Sequence, residues 1–158
     1  MRIRRSELLM AAFMTLFLLA GCARPGPNSD DETQVRAVVT AFGGKLGQVS
    51  LLAPTAADDI RTQYAPYVSP ALLEQWASDP SKAPGRTVSS PWPDRIEIDS
   101  VSAVSASQYS VSGRVIEVTS VEATNGGGAA YEIPVRITVQ DGQGHWEITA
   151  YAEQPAAP

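Results

Sequence analysis

The chain offers few residues able to do chemistry. It has one histidine and one cysteine in 158 residues, which excludes a disulfide framework and leaves too few ligands for a Cys/His zinc site. No cofactor or metal motif is present. An acid–base device built on imidazole would have to use His145, which stands between Gly144 and Trp146 beside a turn. A lone histidine at a strand end is, on the plain reading, a surface residue. Asp58 and Asp59 are adjacent carboxylates, but neighbours on a helix point about 100° apart. They suit the dipole at a helix start better than paired catalysis. Tyr64 and Tyr67 flank Pro66 and carry the polar tips that line pockets; the alternative is packing between helices with the hydroxyl in water. A small pocket enzyme of isomerase, dehydratase or hydrolase type would draw on Tyr64, Asp59 and His145.

The most unusual segment is Pro84-Gly-Arg-Thr-Val-Ser-Ser-Pro-Trp-Pro-Asp-Arg95. Trp92 lies between two prolines, so its backbone has little freedom to lose on binding. Arg86 and Arg95 flank it with planar donor forks that Asp94 could orient. Aromatic and arginine side chains dominate interface hot spots. With the two tyrosines they make a candidate ligand or partner surface: Tyr64, Tyr67, Arg86, Trp92, Asp94 and Arg95. The competing reading makes Trp92 a plug at the open end of the core, with Asp94 and Arg95 setting the entry to the first strand. Gly126-Gly-Gly128 lacks the strand-to-helix setting of a phosphate loop and reads as a hairpin.

These residues must be positioned by helices first and strands later. Val35, Val38, Val39 and Phe42 recur at i, i+3, i+4 and i+7, which predicts a helix over 31–46, weakened at Gly43-Gly44. A second helix is expected over 55–64, with Asp58 and Asp59 in its opening turns. A third starts at Ser69-Pro70, a good N-cap and a good first residue, and stops before Asp79-Pro80. Residues 80–93 form a turn-rich crossing. From Asp94 onward the pattern has period two. The first strand holds 95–98, with 101–104 as its continuation or a bulge. A second strand runs to about Val121 with Tyr109, Val111, Gly113, Val115 and Glu117 on one face, and Asn125–Gly128 forms a hairpin loop. Residues 131–139 and 145–151 make the third and fourth strands. If Trp146, Ile148 and Ala150 face the core, His145, Glu147, Thr149 and Tyr151 face away. The fold class is α+β: N-terminal helices packed on a four-stranded antiparallel meander.

The N-terminus is basic, then mostly apolar from Leu8 to Ala20, too short to cross a bilayer as a helix. It reads as an export signal over 1–21. Leu19-Ala20-Gly21-Cys22 resembles the lipobox of bacterial lipoproteins in all four residues. The resemblance implies cleavage after Gly21, acylation (palmitate) of Cys22, and a membrane partner reached through that anchor. Two or three acyl chains hold a protein stably where one does not. Ala23, in place of an aspartate, leans towards the periplasmic face of the outer membrane in a Gram-negative cell. Residues 22–32 are then the lipidated cysteine and a Pro/Gly-containing tether, 33–153 one domain, and 154–158 a loose tail. Losing Arg2, Arg4, Arg5 and Glu7 with the signal makes the mature chain more acidic than the formal −5 of the whole. That acidity argues against nucleic acid as a partner.

The element order over 31–152 resembles the NTF2-like (cystatin-like) roll, in which a curved sheet wraps a long N-terminal helix and leaves a conical pocket. The resemblance implies a pocket where enzymes of the family place an Asp, His or Tyr. It equally implies a non-catalytic module like those in penicillin-binding proteins and secretion machinery. The expectation is a lipid-anchored envelope protein that binds a small molecule or an envelope protein and catalyses nothing; the alternative is the small pocket enzyme.

Overall fold

The computed structural model describes residues 29–154; the signal segment, Cys22, the first part of the tether and the last four residues lie outside them. The apolar stripe of the first helix forms as expected. Helix α1 spans Ser29–Gly43 and buries Val35, Val39 and Phe42. It begins inside the expected tether, because Asp30, Asp31 and Glu32 occupy its first turn, where negative charge meets the helix dipole. It ends at Gly43 rather than Leu46, and Leu46–Gln48 forms a separate 3-10 turn. The reason is contact with the sheet: a Cβ on Gly43 would lie 2.6 Å from the backbone nitrogen of Ile96.

Helix α2 spans Ala56–Tyr64 and α3 spans Pro70–Ser78. Ser69 caps α3 as expected, its hydroxyl accepting the Leu72 N–H at 3.4 Å. Among the described residues no helix is long and apolar enough to cross a membrane.

Strand β1 (Trp92–Ser105) is one long bulged strand, followed by β2 (Gln108–Val118), β3 (Tyr131–Asp141) and β4 (Trp146–Glu153). They pair in chain order as a fully antiparallel meander. The fold is therefore α+β, with three helices N-terminal to the sheet; α1 and α3 pack on its inner face and α2 packs on α3, and Val111, Ile137 and Ile148 join Val39, Phe42 and Ile60 in one core.

Two expectations along the strands are corrected. β2 stops at Val118, not Val121, because Thr119 and Glu122 form a reciprocal capping box that starts a short helix, α4 (Ser120–Thr124). Asn125–Gly128 is thus the exit of that helix and not a plain hairpin loop. The second correction concerns β4. Val139 pairs with Ile148 and Thr138 with Ala150, which leaves Thr149 without a partner. That bulge reverses the alternation beyond it. Trp146 and Ile148 face the core as expected, but then Tyr151 does too, paired with the buried Ile137, while Ala150 turns outward.

Candidate functional site

The reversed end of β4 has a consequence for the inner face. Strand β2 alternates without a break, so Tyr109, Val111, Gly113, Val115 and Glu117 share one face, and Tyr131 and Ile133 lie opposite Glu117 and Val115 on β3. The bulge adds Tyr151 and Glu153 of β4 to that face. At the end of the sheet where β2 finishes, the helices no longer cover these residues.

There a cavity of about 200 Å³ opens. Its floor is Val115 and Ile133, and Leu46 and Leu51 add apolar wall. The opposite wall is the segment from Ala83 to Thr87, with Pro93 beside it. Glu117, Glu153 and Tyr151 supply its main polar groups.

The wall is held by named contacts. The Tyr64 hydroxyl donates to the Pro84 carbonyl at 2.7 Å, and the Arg86 N–H donates to the Val49 carbonyl at 2.8 Å. Leu51 N–H returns a bond to the Arg86 carbonyl at 2.9 Å. Tyr64 is fully buried, so burial pushes its phenol well above the usual range and it serves only as a neutral donor. It positions the cavity wall from below.

The electrostatics inside are one-sided. The Tyr151 hydroxyl donates to Glu153 Oε1 at 3.2 Å; burial, then the charge of Glu153, hold the phenol protonated. Burial, and then the charge of Glu153, also raise the Glu117 carboxyl above its ordinary value. Among the described residues the Glu117 carboxylate has no hydrogen-bond or ion-pair partner, and no lysine or arginine lines the cavity. Such a site accepts N–H groups and repels anions.

A pH signature follows from Glu117. Its raised folded value means that the native state holds a proton the unfolded chain has released. The relative stability this confers is full below the ordinary carboxylate range and is lost as pH rises through the raised value. Glu117→Gln is therefore expected to melt above the parent at neutral pH and to converge with it in acid. Thermal unfolding at the two pH values checks this, and a variant less stable than the parent at neutral pH contradicts it.

The six residues of the expected surface are split by the fold. Tyr64 lies inside the core and is not a surface residue. Tyr67 is half-buried, with its ring 6.5 Å from that of Phe42 and its carbonyl accepting the Ile148 N–H. Trp92 is half-buried over the 3-10 turn, its Cδ1 3.5 Å from where a Cβ on Gly47 would stand. The Arg86 backbone bridges to Ser50. Asp94 and Arg95 pair at 2.9 Å, and Arg95 also reaches Glu97 at 2.7 Å. Along β2, Arg114 alternates with the inner-face residues and meets Asp99 at 3.1 Å and Glu132 at 2.6 Å. Arg95 and Arg114 thus belong to an ion-pair ladder on the outer side of the sheet.

The acid–base trio does not converge either. Tyr64 is occupied by Pro84, Asp59 on α2 accepts the Thr55 hydroxyl at 2.9 Å, and His145 is exposed on the β3–β4 turn beside Glu147. None of the three lines the cavity. Among the described residues no group of three or more His, Cys, Asp or Glu side chains could hold a metal ion.

Glu117, Tyr151 and Glu153 were not singled out by residue type. Glu117 was legible as the polar end of an otherwise apolar face of β2. Tyr151 and Glu153 carried no such signal, because the bulge that turns them inward has no sequence mark.

No protein family matches the chain, and no curated protein matches it. Among solved structures it is similar to the intermembrane space region of the chloroplast protein ARC6, at a TM-score of 0.42 and 12% identity, covering 84% of this chain and 100% of that one.

Proposed function

We infer that this is a lipid-anchored protein of the bacterial cell envelope whose domain holds a ligand or a partner's side chain and does not catalyse. The observation that carries the ligand-holding reading is the cavity against Val115 and Ile133, whose far wall includes Pro84, Gly85, Thr87 and Pro93. None of the six residues of the expected partner surface lines it, so the small-molecule reading stands on the cavity alone. At about 200 Å³ the cavity is below the size of most drug-like sites, which suits a small molecule or one side chain. Helices over a meander with a pocket at one end also fit the NTF2-like arrangement, where non-catalytic modules are common. Membrane attachment rests on the Leu19–Cys22 lipobox. The enzyme reading loses support because Tyr64, Asp59 and His145 have no common substrate position.

Mass spectrometry of the protein purified from bacterial envelopes tests both halves. Under denaturing conditions the chain is expected to begin at Cys22 and to carry acyl chains; an unmodified Cys22 overturns the anchor. Under native conditions a small extra mass, lost on denaturation, is expected. A bare chain shifts the assignment from a tightly held molecule to a side chain presented by a partner protein.

A further inference from the structure

The cavity's charge is unbalanced in a way that specifies an occupant. The Glu153 carboxylate receives one hydrogen bond, from Tyr151, and the Glu117 carboxylate receives none from any described residue. Arg86 lies within the wall segment but does not line the cavity, and Lys82 borders an adjoining recess with Tyr151 and Glu153. Lys82 is drawn off to Asp79, at 3.1 Å. Arg95 and Arg114 spend their guanidinium groups on the outer ladder. Two carboxylates thus share a partly apolar hollow that no lysine or arginine lines. A cation entering from outside would relieve their mutual repulsion.

The lining restricts what that cation is attached to. Val115, Ile133, Leu46 and Leu51 offer apolar contact for a short hydrocarbon stem. Exposed apolar residues stand next to the cavity: Leu52 follows Leu51, Val88 follows Thr87, and Tyr131 lies opposite Glu117 in register.

We propose that the cavity is a binding site for a primary ammonium group on a short apolar stem, with the ammonium between Glu117 and Glu153 and the stem on Val115 and Ile133. The assignment rests on the ligand-holding reading above and names its chemistry. The same group occurs on a free alkylamine and on a partner's lysine.

The test is a titration of the full-length protein in detergent micelles, followed through the methyl NMR signals of Val115 and Ile133. The probes are n-butylammonium, N-acetyl-lysine methylamide, n-butanol and butyrate. Both ammonium probes are expected to shift these signals saturably in the millimolar range. Butanol and butyrate are expected to bind at least about tenfold more weakly, as the loss of a charge-assisted bond implies. Glu117→Gln and Glu153→Gln should each weaken butylammonium by about tenfold on the same grounds. A lysine derivative much tighter than butylammonium assigns the site to a partner's side chain; equal affinity assigns it to a free amine. Butanol binding as well as butylammonium overturns the cation assignment and leaves the ligand-holding cavity standing. No shift with any of the four probes overturns both.

Discussion

Phe42→Ala is expected to remove about 4 kcal/mol of folding stability, the range for truncating a fully buried aromatic. Phe42 is wholly inaccessible and is the hub of an aromatic cluster. Its ring centroid lies 5.0 Å from Tyr64, 6.1 Å from Trp76, 6.2 Å from Tyr151 and 6.5 Å from Tyr67. The pairs with Tyr64 and Tyr151 are edge-to-face and that with Trp76 is stacked, and such pairs add to the area they bury. Against a total stability of about 5–15 kcal/mol for a domain, such a loss is a large share. In a domain of this size it corresponds to a fall in melting temperature of about 15 °C. The damage should also reach the cavity, because Tyr64 holds Pro84 and Tyr151 holds Glu153. Calorimetry of the variant measures the first effect, and a fall of under a few degrees would show that the cluster is not the centre of the core. Phe42→Leu, which keeps most of the volume, should lose much less.

The second large effect is expected at Gly113. It sits opposite Ile98, immediately before the register shift between Ile98 and Ser100 in β1. The bulge carries the β1 backbone across Gly113, so a Cβ there would collide with the Glu97 carbonyl oxygen and come within 3.3 Å of the Ile98 Cα. These are backbone atoms and cannot rotate away. Gly113→Ala should therefore displace β1 and cost about 3 kcal/mol, the upper part of the range for overpacking. Gly44→Ala is the matched control. Its new methyl would find the nearest atom, the Ala41 carbonyl oxygen, at 3.7 Å, an ordinary contact, and stability should stay within about 0.5 kcal/mol. Denaturant unfolding of the two variants decides the matter, since equal stabilities would remove the close approach as the reason for a glycine at 113.

What was readable in the chain was local. The stripe Val35, Val39 and Phe42, the Ser69-Pro70 start of α3 and the alternation along β2 all express a period or a cap set by neighbours a few residues apart. The capping box at Thr119 and Glu122 was equally local, though the nearby glycines drew attention to a hairpin instead. From these periods follow the α+β class, the order of helices before strands and the antiparallel meander. The resemblance of Leu19–Cys22 to a lipobox is read at the same level, from a contiguous motif, and carries the anchor proposed above.

The site is decided elsewhere. Thr149 leaves the ladder only because β3 and β4 pair in one particular register, and that choice turns Tyr151 and Glu153 inward. Residue types offered Tyr64, Asp59 and His145 to an acid–base reading, yet packing put Tyr64 under a wall, while His145 stands exposed on a turn as its place at a strand end implied. Length and local spacing determine which elements form and in what order. The long-range pairing of strands, and the helices that stop short of the sheet's end, determine which polar side chains are left facing one another across a hollow, because a single unpaired residue changes the face of every residue after it.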